Sequence, residues 1–198
     1  MVSPKTDSHD ARSRIIDAAL DLFSEKGFHA TTTRKIAEKA GVNEVTLFRQ
    51  FNNKLTLFQE TLNEIKKIGF DMDIRAKEFE IEPEEAIQII VESVFEIFEN
   101  NPREIRLLNL ALLEGVEGFE EDFVAKSTSK ALELIANIIK KLQDQHKITS
   151  RENPEMLAQM LLYQTVEMAT QWVLGKYTPL KKYDRPTICN AIVRLFMS

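Results

Sequence analysis

Residues 31–58 read TTTRKIAEKAGVNEVTLFRQFNNKLTLF, and this stretch decides the fold. Thr31 or Thr32 can open a helix, because a hydroxyl accepts a bond from one of the orphan N–H groups of a first turn. Ile36 and Ala37 are the apolar positions of that short helix. Ala40-Gly41-Val42 makes a tight turn, with Gly41 taking the positive φ that a Cβ resists. Asn43 caps a second helix, and Val42 packs inward before it as a staple. Leu47 and Phe51, four apart, put one face of the second helix on the core. The other face carries Val45, Thr46 and Arg49, flanked by Glu44, Phe48 and Gln50. A short, mixed, reachable face of this kind suits a helix laid in the major groove of DNA.

The flanks extend the pattern. Upstream, Ile15, Ile16, Ala19, Leu22 and Phe23 form the apolar stripe of a helix from about Ala11 to Lys26, ended by Gly27. Downstream, Asn52 or Asn53 caps a fourth helix with Lys54 in its first turn and Leu55, Leu57, Phe58, Leu62 and Ile65 on its apolar face. This helix is expected to continue past Gly69 towards Glu80 as a connector.

Taken together, these residues resemble the N-terminal domain of the TetR/AcrR family of transcriptional regulators. The family pattern is I-x-x-A-A-x-x-L-F-x-x-x-G, then T-x-x-x-I-A-x-x-A-G-V, then T-L-Y-x-H-F-x-x-K-x-x-L. Its counterparts are Ile15, Ala18, Ala19, Leu22, Phe23, Gly27, Thr32, Ile36, Ala37, Ala40, Gly41, Val42, Thr46, Leu47, Phe48, Phe51, Lys54 and Leu57. Three positions depart from it: Phe48 replaces the usual Tyr and so lacks a hydroxyl, Gln50 replaces a common His, and Val45 replaces a small residue. The resemblance implies a C-terminal helical domain that senses a ligand and forms a dimer.

Candidate DNA contacts follow from residue chemistry. Thr31, Thr32 and Thr33 stand at a helix start, where hydroxyls and amides can hold a phosphate; capping alone is the plainer reading. Lys54 opposes the dipole of its own helix, which points to an outside anion; a solvated lysine is the alternative. Arg49 can grip guanine, Thr46 can meet a thymine methyl or a phosphate, and Val45 a thymine methyl. Glu44 accepts from cytosine or only completes the helix start, Gln50 serves base or backbone, and Phe48 lies against sugars or in the core.

The chain has 198 residues, 43% hydrophobic and 29% charged, the balance of a water-soluble globular protein. Its net charge of −5 speaks against nucleic acid only until its distribution is considered. Between His29 and Lys54, Arg34, Lys35, Lys39, Arg49 and Lys54 face Glu38 and Glu44, a local +3 that leaves −8 for the rest. A basic patch on an acidic body can still bind phosphate while resisting non-specific adhesion. The single cysteine, Cys189, excludes an intramolecular disulfide and fits a reducing cytoplasm. No apolar run approaches the roughly 20 residues that span a bilayer, and the first residues lack the apolar core of a signal peptide.

From Glu82 onward, prolines punctuate helix starts. Pro83 opens a helix bearing Ile87, Ile90, Val91, Val94, Phe95 and Phe98. Asn101-Pro102-Arg103-Glu104 reads as a capping box for the next, which Gly115 and Gly118 break. A seventh helix runs from near Phe119 to about Gln145, with Glu120-Glu121-Asp122 as a solvated first turn. Asn153-Pro154 opens an eighth that ends before Gly175, and a ninth spans Asp184 to Phe196. The fold class is thus all-α, with about nine helices. Residues 1–54 form the helix-turn-helix domain, with 1–10 expected to be disordered, and residues 55–198 form the regulatory and dimerisation domain.

An apolar ligand pocket would draw on Phe95, Phe98, Leu110, Phe123, Met160, Tyr163, Met168 and Trp172, each of which could equally be core. Helices 8 and 9 are expected to pair across a two-fold axis through Leu157, Leu161, Leu162, Val166, Ile188, Ile192 and Leu195, or else to pack on their own subunit. No catalytic constellation is evident: His9, His29 and His146 lie in a loose terminus and loops, without a nucleophile nearby in sequence. No zinc spacing, phosphate loop or cofactor motif occurs, so neither metal nor cofactor is expected. The reading is a cytoplasmic homodimeric regulator that binds near-palindromic double-stranded DNA, a repressor released by a small, largely apolar effector. A ligand-independent regulator and a helical protein-interaction module are the rivals.

Overall fold

The computed structural model describes residues 5–67, 82–117, 119 and 125–197. Nine α-helices run through them: α1 Lys5–Ala30, α2 Thr33–Ala40, α3 Glu44–Phe51, α4 Lys54–Lys67, α5 Pro83–Asn100, α6 Pro102–Leu113, α7 Ala125–Asp144, α8 Pro154–Leu174 and α9 Arg185–Met197. A 3-10 turn, Pro179–Lys182, lies between α8 and α9. The described residues contain no strand, so the fold class is all-α as expected. α1 begins at Lys5, six residues before the expected start at Ala11, so residues 5–10 are helical where a loose terminus was expected. The expected continuation of α4 beyond Lys67, Gly118 and the acidic run 120–122 lie outside the described residues.

The described residues divide into two compact units, one drawn from 1–68 and 103–123, the other from 69–102 and 124–198. In the first unit, α1 packs on α2, α3 and α4. Ile15, Ala19, Phe23, Ile36, Leu47 and Leu57 are wholly enclosed there, and Phe51 and Phe58 nearly so. Each large apolar side chain removed from water contributes about 1.5–3 kcal/mol. Phe58 meets Phe23 and Phe28 edge-on, with centroids 5.2 and 5.1 Å away, the arrangement that ring quadrupoles favour.

α1 is broken at Gly27, whose φ of 82° and ψ of 172° only glycine adopts readily. The residues after the break are held from three sides. Thr31 Oγ1 donates to the carbonyls of Leu22 and Gly27 at 3.1 and 2.7 Å. Lys54 Nζ donates to the carbonyls of Phe28 and Thr31 at 3.0 and 3.1 Å. The Glu114 carboxylate, just past the end of α6, accepts the N–H of Phe28.

In the second unit, α5 packs against α7, α8 and α9, and α7 lies along α8. Val91, Val94, Phe95, Ile135, Ala158 and Leu161 are fully enclosed at its centre. Asn153 caps α8, accepting from the N–H groups of Glu155 and Met156 at 2.8 and 3.1 Å. The capping box expected at Asn101 takes another form. The Asn101 side chain donates back to the Ile97 carbonyl at 2.7 Å and closes α5.

Candidate nucleic-acid interface

The helix-turn-helix is built as its local chemistry dictates. Thr32, in extended backbone, caps α2 and accepts from the Lys35 N–H at 3.3 Å. Gly41 ends α2 in the left-handed region (φ 66°, ψ 36°), its N–H turned back on the carbonyls of Ala37 and Glu38. Asn43 caps α3, accepting from the Thr46 N–H at 2.8 Å. Leu47 and Phe51 fix α3 to the core, so Val45, Phe48 and Arg49 turn outward. Val45 is 77% exposed and Phe48 43%. Glu44, Thr46 and Gln50 are half-buried along the same helix.

The threonines divide by role. Thr31 is buried and its hydroxyl is spent on two carbonyls, which corrects the expectation that it faces DNA. Thr32 is exposed beside the first turn of α2. Thr33 Oγ1 donates to Glu44 Oε1 at 2.8 Å, tying the first turn of α2 to that of α3. Glu44 is thereby committed within the motif. Lys54 is also corrected. The strain of a lysine at a helix start is relieved inside the chain, by the two carbonyls and by the Phe28 ring, 4.4 Å from Nζ. Asn53, not Asn52, caps α4 by accepting from the Thr56 N–H at 2.8 Å.

These commitments thin the basic patch. Arg34 pairs with Glu38 at 3.0 Å and Lys39 with Asp21 at 2.8 Å. Asp21 also receives Arg103 from α6, and Arg103 reaches Asp17 at 3.1 Å. Burial pushes the Asp21 carboxyl up, but the hydrogen bonds and charges of Lys39 and Arg103 outweigh it and hold the group below its ordinary value. Among the described residues, the side chains of Lys35 and Arg49 make no ion pair or hydrogen bond, leaving both cations available at the surface.

Residues 15–61 match the model of the bacterial regulatory proteins of the tetR family. Over 51 residues the chain is 53% identical to the uncharacterized HTH-type transcriptional regulator YvkB of Bacillus subtilis, an alignment spanning 26% of this chain and 27% of that one. It is also 26% identical over 196 residues to the fatty acid metabolism regulator protein of the same organism, covering 93% of each. Residues 15–61 thus carry the DNA-binding domain of the TetR family. The fold extends the likeness beyond the helix-turn-helix: FadR of Bacillus subtilis, solved in complex with stearoyl-CoA, superposes with a TM-score of 0.70 over 94% of this chain and 97% of its own, at 23% identity. The protein is accordingly a DNA-binding transcription regulator with a TetR-type helix-turn-helix.

The second unit contains a cleft of about 470 Å³. Its floor is Ile87, Ile139, Leu142 and Ile148, and its polar lining is Ser150 and Gln164. Of the eight residues expected to line a pocket, Met160 lines this one. Phe95 and Phe98 are core side chains, and Leu110 stands on α6 in the first unit. Met168 is half-buried. Trp172, half-buried as well, donates its indole N–H to Glu99 at 2.8 Å. Phe123 lies outside the described residues. Of the expected dimer residues, Leu161, Leu162, Ile188 and Ile192 are buried in their own chain. Leu157 and Val166 are half-buried, and Leu195 is exposed. The apolar residues that α8 does expose are Met156, Met160 and Tyr163. Sequence reasoning assigned the last two to a pocket and missed the first. Their i, i+4, i+7 spacing on a helix with few charges was the available signal. No helix of the described residues is long and apolar enough to cross a membrane.

Proposed function

We propose that this regulator acts as a homodimeric repressor that leaves its operator when an apolar, chain-like effector fills the cleft of the second unit. The observation that carries the DNA half is the outward face of α3. There Val45, Phe48 and the uncommitted Arg49 stand together. Arg49 reads a base or grips a phosphate, Val45 and Phe48 make apolar contacts to thymine methyls or sugars, and Thr46 and Gln50 complete the helix. Thr32 and Lys35 hold the phosphates at the start of α2. Two copies place their α3 helices about 34–36 Å apart, in successive major grooves on one side of the duplex.

The dimer half rests on α8. Of the residues from Pro154 to Leu174, only Glu155 and Glu167 are charged, and the helix is apolar on most sides. A helix of that composition is normally covered all round, yet Met156, Met160 and Tyr163 stand at 43%, 55% and 52% exposure. A second copy covers them. The effector half rests on the cleft, whose lining carries no charged residue, and on the relatives, one named for fatty acid metabolism and one solved with stearoyl-CoA. An effector that prefers a different spacing of the two recognition helices weakens DNA binding by no more than that preference.

Footprinting on fragments of the source genome at physiological salt, with wild type and Arg49→Ala side by side, tests this reading. A protected near-palindrome is expected, lost in the variant and released by long-chain acyl-CoA. Protection that survives Arg49→Ala rules out the assigned reading face. Protection indifferent to acyl chains of every length leaves a regulator without this effector.

A further inference from the structure

We propose that Glu44 sets specificity by reading one cytosine in each half-site, and that Thr33 is the positioning residue that aims it; this rests on the DNA-reading face assigned above. Glu44 is the first residue of α3, at the end from which a recognition helix touches base edges. It is half-buried, beside the exposed Val45. One carboxylate oxygen, Oε1, accepts from the Thr33 hydroxyl at 2.8 Å. Among the described residues the other oxygen, Oε2, has no partner, and no lysine or arginine pairs with Glu44. Arg34, next to Thr33, is taken by Glu38 at 3.0 Å.

An unneutralised carboxylate on a face that meets a polyanion weakens binding to every sequence that offers it no donor. The base edges of the major groove offer two, the N4 amino group of cytosine and the N6 amino group of adenine; guanine and thymine present acceptors. Adenine sets its N7 acceptor beside the amino group, where it repels a carboxylate, so cytosine is the base that fits. Glu44 therefore discriminates by rejection as well as attraction, because a wrong base leaves its charge desolvated and unpaired. The Thr33 bond supplies the aim. It fixes a side chain that would otherwise lose its rotamer freedom on DNA, and it occupies one oxygen while leaving the other open. A glutamate that served only the dipole of α3 would need neither the bond nor the open oxygen.

The test is selection of bound duplexes from a randomised pool by the full-length protein at physiological salt, followed by sequencing. Wild type is expected to prefer cytosine by about tenfold or more at one position of each half-site. Glu44→Gln keeps an acceptor for the Thr33 hydroxyl and adds an amide donor, so that position alone should turn to adenine, whose N6 and N7 an amide matches. Thr33→Val, which removes the donor and keeps the shape, should relax the cytosine preference to about threefold or less while the rest of the motif stands; Thr33→Ser should restore it. A purely structural Glu44 would shift the thermal midpoint and leave every base preference in place. Glu44→Gln selecting the wild-type base at every position overturns the proposal and leaves the reading face standing, as does a cytosine preference untouched by Thr33→Val. A wild type that enriches no motif removes the reading face and the role of Glu44 with it. Thr33→Val and Thr33→Ser decide the matter if Glu44→Gln fails to fold.

Discussion

Glu114 and Phe28 meet across 86 positions of sequence: the carboxylate of the first accepts the backbone N–H of the second at 2.6 Å. The contact sits on the break in α1, where a Cβ built on Gly27 would collide with Glu114 Oε1. Two costs therefore attach to a side chain there, one from the positive φ and one from the carboxylate. Gly27→Ala is expected to lose about 1–3 kcal/mol, seen as a fall of several degrees in the thermal midpoint. Adding Glu114→Ala should recover part of the loss and no more, because the φ cost remains. Strict additivity in that double-mutant cycle would show that the two residues do not meet.

Arg49 and Lys54 stand close in sequence and are expected to behave oppositely. Arg49→Ala should leave the thermal midpoint unchanged and weaken operator binding by about 1–3 kcal/mol, roughly fivefold to 150-fold. Lys54→Ala should lower the midpoint instead, because it frees two carbonyls that a charged donor satisfies. Melting curves and fluorescence anisotropy on both proteins separate the roles; an unchanged midpoint in Lys54→Ala refutes the second.

The Asp21 cluster predicts a dependence on acid. Lys39 and Arg103 hold the carboxyl below its ordinary 3.8, so the folded chain binds this proton less readily than the unfolded one. The stabilisation is complete well above pH 4 and is lost as the pH falls through that value towards the lower folded pKa. Urea unfolding of wild type and Asp21→Asn from about pH 6 downward should show a stability gap that closes in acid. A gap constant over the range contradicts the assignment.

Cys189 is enclosed in α9, and burial pushes its thiol up to about 11. A thiol of that kind is almost wholly protonated near neutrality and has no access to reagent. With a disulfide reagent at pH 8, native protein should yield no thiol and urea-unfolded protein one per chain. Rapid reaction of the native protein would show that α9 opens.

The helix-turn-helix was legible because its signals are local. Thr32, Gly41 and Asn43 sit where caps and a left-handed turn require them, and neighbours within four residues complete each motif. Partners distant in sequence left no such mark. Lys54 looked like a phosphate ligand because the carbonyls it satisfies lie 26 and 23 positions upstream. Thr31 looked like a surface hydroxyl although its acceptors, the carbonyls of Leu22 and Gly27, lie only 9 and 4 positions upstream. In the second unit, Leu, Ile, Met and aromatic residues serve core, cleft and exposed face alike. Periodicity located the helices there without saying which side of α8 faces inward, so Tyr163 reads as a pocket residue although it is exposed and lines no cleft.

The membership of α6 in the first unit bears on the order of synthesis. A ribosome delivers α1 to α4 first, then the stretch that begins the other unit, and only afterwards Arg103 and Glu114. Until then Asp21 lacks one of its two cations and the Phe28 amide lacks its carboxylate. The two units cannot be finished one after the other like beads on a string. The DNA-reading unit matures only once the chain has already started on the other, and a fragment stopped at residue 68 is a different object from the same residues in the whole protein.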